Sequence, residues 1–178
     1  MRGAAKAVII VILSAIVSHI AFIYTYPYII ALSRYLETRN EVKVNEAYHQ
    51  APIDASFKKI VRPSPDILYS ACVYDISKSD LLIEAKVPNF TYWSAAFYSM
   101  STDNYYTINN RAVHENITII LTTSKEKCSS LKNARGVICV ASPSARGIVI
   151  FRIFIPNSSL LPELIEYQKT IKCTQIKK

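Results

Sequence analysis

Charge is scarce in this sequence. Asp, Glu, Lys and Arg together make up 19% of its 178 residues, against 51% apolar ones. So apolar a chain is not disordered, and the surface of its fold must draw polarity from Ser, Thr and Asn as much as from charge. What charge there is leans basic, +8 overall. It is spread along the chain and no arginine-rich recognition helix gathers it, which argues against nucleic acid as a partner.

Long amphipathic segments are also lacking, which argues against a Rossmann fold or a barrel enzyme. Catalytic and metal motifs are missing too. His49 and His114 belong to no local metal motif: His114-Glu115 sets adjacent donors on different sides of an extended chain, unlike the helical H-E-x-x-H arrangement. Ser70 and Ser144 lack the G-x-S-x-G elbow, and none of the three histidines has a readable triad role. Cys72, Cys128, Cys139 and Cys173 are too widely spaced for a C-x-x-C metal or redox motif. No catalytic residue, metal or cofactor is assigned on these grounds. Whether the chain is an enzyme stays undecided, with the balance against it.

The strongest feature present is an apolar run. Residues 7–32 contain no Lys, Arg, Asp or Glu, and a bilayer with about 30 Å of hydrocarbon needs roughly 20 such residues to be crossed. One transmembrane helix is expected over residues 7–28. Arg2 and Lys6 precede it, which by the positive-inside rule puts the N-terminus in the cytoplasm and the rest outside, although Arg34 and Arg39 weaken the bias. A cleaved signal peptide is the rival; the apolar run exceeds the usual core and shows no small-x-small site, so an uncleaved anchor is favoured. Ser14, Ser18 and Thr25 can return their hydroxyls to helix carbonyls. His19 reads as a structural, neutral member of the span rather than a proton relay, because no second ionisable residue joins it there. Tyr24, Tyr26 and Tyr28 suit the far membrane interface, and Pro27 reads as an exit or kink, after which a short helix could resume near the headgroups.

The chain then divides into a cytoplasmic tail and anchor (1–32), a membrane-proximal connector (33–65) and an extracytoplasmic β-domain (66–178). Pro52, Pro63 and Pro65 mark the connector. It carries a basic cluster at Lys58, Lys59 and Arg62, suited to anionic lipid, a partner or plain solvation. The domain centres on residues 66–100, where three apolar and aromatic runs (67–74, 81–87 and 92–100) are separated by turn-rich DISKSD and PNF. These runs are expected to pair as adjacent antiparallel strands, with Trp93 in the core. Further strand-like runs at 104–113, 116–123, 136–141 and 147–155 bring the total to about seven to nine. A short C-terminal helix should follow, capped by Ser158 or Ser159, with Pro162 in its first turn and Leu161, Leu164, Ile165 and Gln168 on one face. The expected fold is therefore mainly β, an antiparallel sandwich-like domain with one N-terminal transmembrane helix.

In an extracytoplasmic domain the four cysteines allow two disulfides in three pairings. Cys128 to Cys173 is the least constrained of these.

Tyr69, Ser70, Ala71, Asp75, Ile76 and Ser77, then Val87 and Pro88 and the later run RGIVIFRIFIP with Arg152 and Pro156, resemble bacterial proteins of the domain-of-unknown-function 1254 family. The resemblance covers about two thirds of the chain and implies a β-sandwich-like domain of the cell envelope; it supplies no reaction, cofactor or active site.

Two function classes follow. The preferred one is a noncatalytic envelope module at the bacterial inner membrane, the β-domain periplasmic, which binds an envelope protein or a second copy of itself. Tyr92, Tyr98, Tyr105 and Tyr106 are its interface candidates, since tyrosine buries ring area while keeping its hydroxyl bonded. The alternative is a small-ligand or enzyme-accessory domain using Asp75, Arg111 or Arg152 around an aromatic pocket. For Asp75 the competing role is an Asx turn with Ser77 or Ser79.

Overall fold

The computed structural model describes residues 2–54, 57, 63–131 and 136–177. The basic cluster at Lys58, Lys59 and Arg62 lies outside the described residues. Helix α1 (Arg2–Glu41) is continuous over 40 residues, with Pro27 inside it. Pro27 therefore does not end the helix, and the short second helix expected beyond it is simply α1 continuing. Pro27 has no amide to give the Ile23 carbonyl one turn back; elsewhere in the helix Thr25 Oγ1 donates to the Ala21 carbonyl at 2.7 Å and Ser14 Oγ to that of Val11 at 2.9 Å. The most apolar stretch of the helix is not buried by any of the described residues, and its mean hydropathy reaches 2.5. It is long and apolar enough to cross a membrane: 22 residues rise roughly 33 Å.

The rest is a two-sheet sandwich. One sheet orders β1 (Ala47–His49), β2 (Ile67–Asp75), β8 (Arg146–Phe154), β4 (Trp93–Ser99) and β5 (Asn104–Asn109) as β1-β2-β8-β4-β5, all antiparallel. The other orders β7 (Ile138–Ala141), β6 (Asn116–Thr122), β3 (Asp80–Lys86) and β9 (Lys172–Ile176) as β7-β6-β3-β9. Its β6–β7 pair is parallel, the crossover carrying helix α2 (Lys125–Leu131). Successive side chains in a strand point to opposite faces, so Leu68, Cys72 and Tyr74 from β2, Trp93, Ala95 and Phe97 from β4, and Val149, Phe151 and Ile153 from β8 meet Leu81, Ile83, Ile117, Ile119 and Leu121 of the facing sheet.

The three central runs do form strands, but not neighbouring ones. β8 lies between β2 and β4, while β3 belongs to the opposite sheet. Alternation dictates which side chains face the core; it does not choose the partner strand, and a sandwich is satisfied when Trp93 and Leu81 meet from opposite sheets. Two strands went unread: β1 inside the stretch taken as connector, and β9 beyond the last helix.

The disulfides correct the expected pairing. Cys72 is bonded to Cys173, Cα to Cα 6.6 Å, and Cys128 to Cys139, Cα to Cα 5.1 Å. Strand β9 edges the second sheet and turns Cys173 inward onto Cys72, while α2 packs on β7 and brings Cys128 onto Cys139. Lys127, also on α2, pairs with the fully buried carboxylate of Asp80 at the start of β3.

Helix α3 (Leu161–Lys169) follows a 3-10 turn at Ser158–Leu160. Asn157 caps that 3-10 turn, its Oδ1 accepting from the Ser159 amide at 3.1 Å; the cap position of α3 itself is Leu160, which makes no side-chain cap bond, so neither serine caps the helix. Leu164 and Gln168 are its buried residues. Gln168 Nε2 donates to the carbonyls of Gln50 (3.0 Å) and Tyr69 (2.8 Å), which fixes the helix to β2 and to the chain leaving β1.

Candidate functional site: the outer face of the five-stranded sheet

Strand β8 reads RGIVIFRIF, with Ile148, Ile150 and Phe154 turned outward as Val149, Phe151 and Ile153 turn inward. A strand apolar on both faces is one that expects cover on both. Register extends this outer surface sideways. Phe154 lies opposite Ile67; Arg152 lies between Tyr69 and Ser94; Ile150 lies between Ala71 and Ala96; Ile148 lies between Val73 and Tyr98. Tyr48 on β1 adds to the Ala71 row, and Tyr92 precedes β4 with its carbonyl accepting from the Phe154 amide at 2.8 Å.

Cover is present at one end only. Tyr35 of α1 is buried against Val73 and Met100, with Ala31, Leu32, Val42, Val44 and Ile148 around them. Asn45, in a left-handed conformation at φ 64, anchors the exit of the helix: its amide donates to Val73, and its side chain exchanges two hydrogen bonds with the Asp75 backbone, at 3.0 and 2.9 Å. Toward the far end the face is open. Tyr48 is 39% exposed, Phe154 41% and Tyr92 47%. Among them stands Arg152, half-buried, whose Nη2 reaches the Tyr98 hydroxyl at 3.5 Å and which has no carboxylate partner among the described residues.

The structure separates the seven residues singled out in sequence. Tyr92, Tyr98 and Arg152 share the outer face. Tyr105 and Tyr106 do not join them: a bulge between Phe97 and Tyr98 leaves Tyr105 as an extra residue, and both rings pack edge-on against buried Phe97, at 6.2 and 5.5 Å. The Tyr105 hydroxyl meets that of Tyr74 at 3.0 Å, which in turn meets Ser142 Oγ at 3.0 Å. Burial pushes the phenols of Tyr74, Tyr105 and Tyr106 up. Asp75 makes the Asx turn with Ser77, accepting from its amide at 3.1 Å and its hydroxyl at 2.6 Å, and pairs with Arg146. Arg146 and Arg152 are six residues apart along β8, roughly 20 Å. Arg111 is exposed beyond β5, its amide bonded to Asn109 Oδ1 at 3.0 Å. Asp75, Arg111 and Arg152 thus line no common pocket.

A family model described as "Protein of unknown function (DUF1254)" matches residues 44–175. The chain belongs to the DUF1254 family. Among solved structures, the VPA0106 protein from Vibrio parahaemolyticus shares the fold, with a TM-score of 0.67 at 15% identity over 88% of this chain and 37% of that one. An uncharacterised protein from Burkholderia cenocepacia is more distant, with a TM-score of 0.48 at 14% identity over 76% of this chain and 36% of its own. The chain thus spans little more than a third of the length of either. No curated protein matches it.

Within this DUF1254 domain the short stretch 69–77 is spent on joints. The Tyr69 carbonyl receives Gln168, Asp75 receives Arg146, and Ser70 Oγ lies 3.0 Å from His49 Nδ1 on β1. Sequence reading missed the His49–Ser70 pair because the two are remote in the chain and β1 was not recognised. Burial lowers the His49 pKa, so the ring is neutral at neutral pH. Ser70 is only 2% exposed, and the pair ties the edge strand β1 to β2. Among the described residues no three His, Cys, Asp or Glu side chains come together as a metal site.

Proposed function

We propose that this chain is a single-pass protein of the bacterial inner membrane, its N-terminus cytoplasmic and its β-domain periplasmic. There the domain serves as a noncatalytic binding or assembly module. The exposed apolar helix supports the anchor, Arg2 and Lys6 support the orientation, and the engagement of all four cysteines in disulfides supports an oxidising compartment.

One observation carries the binding role. The outer sheet face leaves Tyr48, Tyr92 and Phe154 uncovered around a half-buried Arg152 that has no carboxylate partner among the described residues. Large aromatic side chains beside an arginine are the usual composition of an interface centre. An unpaired, partly desolvated guanidinium selects a partner that brings a carboxylate. The occupant we assign is an envelope protein that places an Asp or Glu on Arg152 within the aromatic frame.

The anchor and orientation are tested with a tag after Lys178 in intact cells. It is expected to react with a membrane-impermeant reagent from outside and to escape cytoplasmic labelling; cytoplasmic labelling would overturn the orientation. The binding role is tested by Arg152→Glu, expected to remove the partner while leaving both disulfides and thermal stability intact.

A further inference from the structure

Past residue 28, the last turns of α1 and the outer sheet face enclose a groove of about 210 Å³. Ile30 and Ala31 form one wall; Val73, Met100 and Ile148 form the other. Arg34, Tyr35, Thr38, Tyr98, Ser99 and Thr102 also line it, but nearly all the surface exposed to the groove is apolar. An apolar concavity offers water no partners and takes an apolar guest instead.

The position of the groove decides which guest. Its helical wall is the helix that carries the apolar span, and Ile30 lies two residues past Tyr28, where the span is read to end. An aliphatic chain can therefore slide from the bilayer along α1 into the groove without crossing open water. The size agrees: small-molecule pockets run roughly 300 to 1,000 Å³, so this smaller, open-sided groove suits part of one chain and not a whole two-chain lipid. We propose that it holds a single acyl chain of a phospholipid from the leaflet on the domain's side, wedged between helix and sheet. The proposal rests on reading residues 7–28 as a membrane span. The bound chain would extend the cover that α1 already gives β8 at Ile148 and make the contact between helix and domain depend on the bilayer.

The test uses the full chain in membranes of phosphatidylethanolamine and phosphatidylglycerol containing a phospholipid with a diazirine at the end of one acyl chain. In an undisturbed bilayer that group lies near the midplane, so it labels the middle of the span. Adducts at Met100 and Ile148 require a chain that has left the midplane for the groove, and these are expected in addition. Ala31→Trp, which fills the groove, and Thr102→Trp, at its exposed edge, should each reduce the domain adducts several-fold, with span adducts and both disulfides unchanged.

Labelling confined to the span would overturn the proposal and leave the membrane reading standing. Labelling of neither region would overturn both. Domain adducts that persist undiminished in both tryptophan variants would show that the labelling chain does not sit in the groove.

Discussion

Asp75 and Arg146 face each other at the last register position of the β2–β8 pair, Oδ2 to Nε 2.9 Å, and the Arg146 guanidinium lies 6.0 Å from the centre of the Tyr35 ring. One ion pair thus joins β2 to β8 beside the last turns of α1. Burial alone would raise the Asp75 carboxyl, but hydrogen bonds from Ser77 and Arg146 outweigh it and hold it below the ordinary value of 3.8.

A carboxylate depressed on folding contributes stability that is present above its unfolded pKa and is lost as the pH falls through the folded one. Asp75→Asn is therefore expected to lower the thermal midpoint at pH 7, and the gap from the parent should close as the pH drops below about 4. Both partners are substantially exposed, so the loss should be no more than about 1 kcal/mol. A gap that stays constant down to pH 2 would show that the carboxylate's charge contributes nothing.

The two disulfides should differ in weight. Cys72–Cys173 spans a sequence separation of 101 and Cys128–Cys139 one of 11. By loop-closure entropy the first is worth about 4 to 5 kcal/mol and the second about 3 or less. Denaturant unfolding of Cys173→Ser and Cys139→Ser variants, each with its partner also replaced by serine, should show the larger fall in midpoint for the 72–173 pair.

Trp93 is 1% exposed at the centre of the core. Trp93→Ala is expected to cost about 3 to 5 kcal/mol in urea unfolding. Gly147 tests the same core from β8. A Cβ there would overlap the Tyr98 carbonyl and the Tyr74 ring, so Gly147→Ala should destabilise by about 1 to 3 kcal/mol.

The strands were legible because β-branched and aromatic residues alternate at period two, and that alternation also places Trp93, Tyr92 and Arg152 on their faces. Strand partners were not legible: nothing in the runs 67–74 and 92–100 says that β8, which starts more than forty residues after the second run, comes between them. Strand β1 is three residues long and follows a helix, too short to carry a pattern. Strand β9, KCTQI, is mostly polar or exposed and resembles a tail until Cys173 is seen to face Cys72. Tyr105 and Tyr106 look like a surface pair by composition, and only the bulge opposite Phe97 sends both inward. Arg146 escaped notice because its partners, Asp75 and Tyr35, are far away in the chain.

A photoreactive amino acid placed at Tyr92 in the membrane-bound chain, compared with the same probe at Glu84 on the opposite sheet, decides whether the open aromatic face is a docking surface. One discrete protein adduct is expected from position 92, none from position 84, and the adduct should be lost in Arg152→Glu with both disulfides still formed. No adduct at position 92, or the same adduct from both faces, would contradict a docking role.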